Sequence, residues 1–416
     1  MSRPQAESKR AVLRGWLALI GSFAILTGLG GVYAWSAFVP ALRAYHLFTT
    51  AQTQIVFGTV IAVFTLAMVG AGRLLKWWGP RFVSLAGGLL FACGYWLASQ
   101  SGGGFAGVWA GIGLLSGAGI GFGYVSAIAS AVQWFPHRKG LAVGVVVAGF
   151  GGGAIVLSQW VEPLLAARMP VPDIFRLIAI YYGAAMCLAS MILFRPPAGP
   201  TGEAAQTPGV KALMRDPFFR RLVAGMFCGT FAGLLVIGNL KPIGLDGHLS
   251  ASVASLAISF LAAGNLAGRV VWGWISDRLG YRAIPLSLLV LAGSVAALIP
   301  ARYNGSAFAA IAMLVGFGFG SCFVLYAAQV AARYGPPLLP NVYPLVFLAY
   351  GFSGICGPAI GGWLFDLTSS YEMAILTSAG VVAAGVGLVW PWREGWAENA
   401  LCGAKAFAGR SEQCRR

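Results

Sequence analysis

The sequence predicts an all-α membrane protein of twelve transmembrane helices in two six-helix halves. Three observations carry this. The 416 residues are 58% apolar and only 10% charged, where soluble domains run near 25% charged. Twelve apolar segments can be marked along the chain, each near the roughly 20 residues a helix needs to cross a bilayer. The second six segments repeat landmarks of the first at nearly one offset.

The segments run 16–40, 52–74, 82–100, 106–133, 141–165, 174–194, 219–240, 251–275, 284–300, 306–332, 342–366 and 373–391. The first follows Arg3, Lys9, Arg10 and Arg14. At about 25 residues it is long enough to span, and no cleavage pattern follows it, so it reads as a membrane helix and not as a removed signal. With the N-terminus placed in the cytoplasm, 22 of the 28 Lys and Arg fall in inner loops and tails. The outer face holds only Arg43, Arg168, Lys241 and Arg302. That bias predicts cytoplasmic termini. The net charge of +16 is thereby a topology signal, and nucleic acid is not an expected partner. A stretch rich in Pro, Gly and small polar residues, Arg195 to Lys211, has linker composition. It divides the chain into an N-terminal half (1–195), a cytoplasmic linker (196–218), a C-terminal half (219–392) and a cytoplasmic tail (393–416).

The seven Cys are scattered, and no CxxC or CxxH spacing occurs, so neither zinc nor a disulfide is expected. No Ser/His/Asp or Cys/His order and no paired intramembrane carboxylate stands out. The sequence therefore predicts no catalytic residue, no metal and no cofactor, and a chain that is not an enzyme.

The repeat is visible around two loops. Gly72, Gly79 and Arg81 after segment two match Gly273, Gly280 and Arg282 after segment eight at a constant offset of 201. Glycine-rich runs lead to Tyr124 in segment four and Tyr326 in segment ten, and Gly149-Phe150 in segment five answers Gly351-Phe352 in segment eleven. Six plus six in one orientation is a parallel repeat, for which a substrate site is expected at the midplane between halves that rock.

Segment eight holds the most informative residue. Between Ala251 and Ile275 the only charge is Arg269, eight residues before Asp277. At about 1.5 Å per residue it lies roughly 12 Å into the membrane, near the midplane of a core whose half-thickness is about 15 Å. Arginine side chains stay charged in proteins, so a guanidinium at that depth needs a partner or a wet cavity. Asn265 is one turn away on the same face. No Asp or Glu lies at comparable depth, which leaves room for a ligand carboxylate. The alternative is a structural Arg that satisfies backbone carbonyls between packed helices. The glycines of segments four, five and eleven read as close-packing devices.

Gly273-x-x-x-Asp277-Arg278-x-Gly280-x-Arg282 resembles the cytoplasmic signature loop of the major facilitator superfamily, which implies that fold and a gating role for these residues. The copy after segment two is degenerate, with Lys76 in place of the acid. Gly117-Ala-Gly119-Ile-Gly121-Phe-Gly123-Tyr124, Trp134-Phe-Pro136-His-Arg138-Lys139-Gly140, Ala148 to Ala154 and Tyr33-Ala-Trp35 are similar to the oxalate/formate antiporters and monocarboxylate transporters. That resemblance implies a secondary carrier of small monocarboxylates (lactate, pyruvate, acetate or formate), with an oxalate/formate-type anion exchanger as the alternative. Its partners would be a small organic anion, protons and membrane lipid. It would work as a monomer in the plasma membrane, the inner membrane of a bacterium. It implies that Arg269 binds the substrate carboxylate, with Asn265 where animal relatives have Asp. Tyr350 falls where the oxalate carrier has a Lys. The aromatic pocket residues would be Tyr33 (or its neighbour Trp35), Tyr124 and Tyr326.

Overall fold

A computed structural model describes residues 3–48, 50–195 and 209–390. Residues 196–208 of the linker and the tail from 391 lie outside the described residues. Helices and connecting turns make up what is described, with no strand among those residues. Ten helical stretches there are long and apolar enough to cross a membrane, and two of them, Ile55–Gln100 and Ser252–Ala301, have 46 and 50 residues, enough for two crossings each. The ten therefore supply twelve crossings. The chain clusters into two units: Met1–Pro136 with Val145–Pro197, and His137–Gly144 with Ala198–Arg416.

In the first unit, α1 (Arg3–Gly30), a 3-10 turn (Gly31–Ala34) and α2 (Trp35–His46) form one bent crossing. The helical run α3 (Thr50–Gln100) holds two crossings, joined where Gly79 takes φ 73° and ψ 172° ahead of Pro80. A side chain would oppose that backbone conformation, and Pro is suited to the first turn of the helix that follows. Crossing four consists of α4 (Phe105–Val108), a widened π turn (Trp109–Ser116) and α5 (Gly117–Trp134). The fifth crossing is α6 (Lys139–Ala166) and the sixth α7 (Val171–Met191). Phe64, Phe91, Tyr124, Phe150 and Phe175 are buried in this unit.

In the second unit, α8 (Val210–Arg215) leads to α9 (Pro217–Asp246), which Asp216 caps by accepting from the Phe218 amide at 2.9 Å, with Pro217 at its first position. Next come α10 (Ala251–Leu279), a 3-10 turn (Gly280–Arg282), α11 (Ala283–Ala301), α12 (Gly305–Ser321), α13 (Leu325–Tyr334), α14 (Leu339–Thr368) and α15 (Glu372–Val389). Gly280 takes φ 57°, so the matched glycines Gly79 and Gly280 both supply the left-handed residue at a helix-to-helix turn. Ile155 and Val156, Leu188 and Leu367 are exposed, as lipid-facing side chains of spanning helices are.

Three expectations about continuity change. The stretch Gly273 to Arg278 is not a loop but the last turns of α10, and the turn is confined to Gly280–Arg282. Segment four is interrupted by the π turn, beside which Gly111 meets the Gly94 carbonyl and the Ser116 hydroxyl donates to the Phe91 carbonyl at 3.1 Å. Segment ten breaks at Cys322–Val324, where the amides of Cys322 and Val324 bond three residues back, at 3.1 Å each, the tighter 3-10 pattern.

Candidate substrate-binding site

Arg269 is fully buried. It is held there by how α10 meets α12. A Cβ at Gly268 would collide with the Phe317 carbonyl, and one at Gly264 with the Met313 carbonyl. In return Gly316 abuts the Leu261 carbonyl, and a Cβ at Gly320 would stand 3.1 Å from the Arg269 amide. Two glycine pairs at four-residue spacing thus let the backbones touch. Trp272 fixes the register by donating from Nε1 to the Phe317 carbonyl at 3.1 Å. The Nε of Arg269 donates to Oδ1 of Asn265 at 3.1 Å, and its guanidinium carbon lies 4.7 Å from the centre of the Phe323 ring, a cation–π distance. Both of these neighbours are neutral.

Phe323 comes from the break between α12 and α13, and its carbonyl accepts from the Tyr343 hydroxyl at 3.4 Å. Its ring meets Tyr350 edge-on at 5.2 Å, and Phe347 packs on Tyr350 at 5.1 Å. Arg269, Asn265, Phe323, Phe347 and Tyr350 therefore form one connected group, of which sequence reasoning named Arg269, Asn265 and Tyr350. Tyr326 is also fully buried, and its hydroxyl is directed at α9, where a Cβ at Gly225 would stand 2.7 Å from it.

In the first unit Tyr124 is buried and meets Phe64 and Phe150 edge-on, each at 5.2 Å. Tyr33, half-buried, meets Phe150 at 5.3 Å. Phe150 joins the two tyrosines that the resemblance selects. Trp35, the alternative to Tyr33, is committed to a helix contact, donating from Nε1 to the Thr53 carbonyl at 3.0 Å.

The signature residues divide by role. Asp277 accepts from the amides of Gly140 at 2.8 Å and Leu141 at 2.9 Å, so both carboxylate oxygens close the N-terminus of α6, where free amides and the helix dipole favour an anion. Gly273 and Gly140 allow this by backbone contact, since a Cβ on either would collide with the other's carbonyl. Arg278 stacks on Trp274 instead, its guanidinium carbon 3.5 Å from the ring centre. Arg282 is exposed. Among the described residues no three metal-ligating side chains cluster.

The profile described as Major Facilitator Superfamily matches residues 18–337 and again 222–397. The chain belongs to the major facilitator superfamily. Within that superfamily it is 29% identical over 355 residues to the uncharacterized transporter YhjX of Escherichia coli (strain K12), covering 82% of this chain and 86% of the other. It is 24% identical over 394 residues to the oxalate:formate antiporter of Oxalobacter formigenes (91% and 92%) and 27% identical over 399 residues to monocarboxylate transporter 11 of Homo sapiens (89% and 81%). A solved major facilitator transporter, FucP in an outward conformation, shares the fold with a TM-score of 0.67 at 17% identity, over 89% of this chain and 98% of its own. The chain is thus a multi-pass major facilitator transporter, and its relatives are carriers and not enzymes.

Proposed function

We propose that this transporter is a secondary active carrier of small monocarboxylates, of the lactate, pyruvate, acetate and formate class, coupled to protons. It works in the plasma membrane, the inner membrane of a bacterium, with both termini cytoplasmic. The observation that carries the reading is Arg269: a fully buried guanidinium whose Nε is aligned by Asn265 and whose face rests on Phe323. An aligned guanidinium is shaped for a planar carboxylate, and one cation suits one negative charge. Phe323 and Tyr350 would give the substrate's carbon chain an apolar wall, with Tyr350 adding a neutral phenol. The names of two relatives, an oxalate:formate antiporter and a monocarboxylate transporter, point to the same ligand class. Tyr33, Tyr124 and Tyr326 take the substrate-facing roles that the resemblance implies. Orientation rests on the 22 of 28 Lys and Arg that one arrangement places inside.

The second reading, an organic anion exchanger of the oxalate/formate type, is favoured by the similarity to the antiporter over 91% of this chain. Against it, Tyr350 stands where the resemblance implies a Lys, so the second cation that a dianion wants is not supplied at that position. Uptake of a panel of labelled carboxylates into proteoliposomes tests the choice. Monocarboxylates should enter and compete with one another while oxalate does neither. Oxalate entering faster than every monocarboxylate would give the site to a dianion.

A further inference from the structure

The degenerate loop copy has a second property that the transport site does not use. In the first unit a cleft of about 810 Å³ opens at the Gly79 kink, lined among others by Trp77, Trp78, Arg81, Phe82, Leu89 and Arg195. Among the described residues no Asp or Glu lines it. The Arg195 guanidinium lies across Gly79, where any Cβ would run into it, and Arg81 reaches the other side, donating to the Met191 sulfur at 3.0 Å. Among the described residues neither arginine is ion-paired. Trp77 is 75% exposed, Trp78 52% and Phe82 59%. Large exposed aromatics at the charged end of a spanning helix occupy the headgroup level of a bilayer. Below them Phe82, Leu85 and Leu89 follow one another at helical spacing, so the cleft runs from two cations onto an apolar stripe.

We propose that this cleft binds an anionic phospholipid, its phosphate held by Arg81 and Arg195 and an acyl chain laid along Phe82, Leu85 and Leu89. The charge pattern matches an amphiphile, since guanidinium forks pair with phosphate oxygens and basic pockets between membrane helices hold anionic headgroups. Free phosphate would leave the apolar stripe uncovered. The sequence fits the same assignment: Lys76 stands where the other copy of the loop has Asp277, so this copy has exchanged a helix-capping acid for a third cation.

The test is native mass spectrometry of the purified full-length protein, after adding back equimolar phosphatidylglycerol and phosphatidylcholine of matched chains. The wild type should retain the anionic lipid in preference. Arg81→Gln with Arg195→Gln should lower that retention about thirtyfold, the effect of two surface cations. Arg176→Gln, whose exposed arginine pairs with Asp173, should retain lipid like the wild type, and millimolar inorganic phosphate should not displace it. Equal retention of both lipids by the wild type overturns the proposal without any variant. So does unchanged retention in the folded double variant, or displacement by phosphate. A dimer in the wild-type spectra that the double variant dissolves would give the cleft to a second copy of the chain.

Discussion

Arg269 shows how one charge is made tolerable in an apolar helix. The repeat places Met68 at the same point of segment two, 201 residues earlier, and Met68 is as fully buried as Arg269. The cation is therefore not demanded by the fold of a half. One half uses the position for packing and the other for a charge aligned by Asn265 and backed by Phe323. Arg269→Lys keeps the charge but loses the Nε donor and the planar fork. Losing one charge-assisted hydrogen bond to substrate should lower uptake about 10- to 100-fold, with normal amounts of protein in the membrane. Near-normal uptake by that variant would exclude Arg269 as the carboxylate anchor. Arg269 and Asn265 were legible in the sequence because a lone charge in an apolar stretch has few explanations. Phe323 was not, because it is brought there by a helix break whose residues, Cys322-Phe323-Val324, include no Gly or Pro to announce it.

The elements owe their positions to glycine contacts and caps more than to side-chain bulk. Gly268 lets α10 meet the Phe317 carbonyl of α12, whereas a Cβ at Gly293 in α11 would meet nothing within 4 Å. Gly268→Ala should push the helices apart and tilt Arg269 off its partners, with a loss of more than tenfold in uptake and a lower thermal midpoint. Gly293→Ala should do neither, and equal behaviour of the two variants would show that close approach is not what Gly268 provides. The capping of α6 by Asp277 gives a residue-level readout. Asp277→Asn loses the charge and one of two acceptors. At about 1–2 kcal/mol for a cap, hydrogen exchange of the Gly140 and Leu141 amides should speed up roughly 5- to 30-fold. Unchanged exchange there would mean that the cap does not hold in solution. The number and order of crossings were legible from apolar length, and the turns at Gly79 and Gly280 from the repeated glycines. The helical ends of the signature stretches were not. Their charged and aromatic residues fit a solvated helix turn as well as a loop, and only the Gly280 conformation marks where α10 stops.

A whole transporter must also balance charge across the membrane, and here the composition of the molecule constrains the mechanism. Moving one anion against a negative-inside potential opposes about 2.3 kcal/mol per 100 mV, so accumulation needs a co-ion or an exchanged anion. The apolar segments carry no acid at the depth of Arg269, and the resemblance implies that Asn265 occupies the place of an Asp in animal relatives. A side-chain carboxylate is thus not available there as the proton carrier, and arginine side chains do not exchange protons at working pH. For the proton symport proposed above, the arrangement that remains is a proton travelling with the substrate carboxylate or with water held by Asn265, which would make each transport event electroneutral. Exchange of one monoanion for another is electroneutral as well, and the two differ in what the far side must supply. Uptake of a labelled monocarboxylate into empty proteoliposomes, under an inward proton gradient, should proceed and should collapse with a protonophore. An imposed membrane potential without a pH gradient should change the rate less than twofold, since no net charge moves. If uptake begins only after the vesicles are preloaded with a carboxylate and ignores the gradient, symport is wrong, and Arg269 then serves an exchanger that must never return empty.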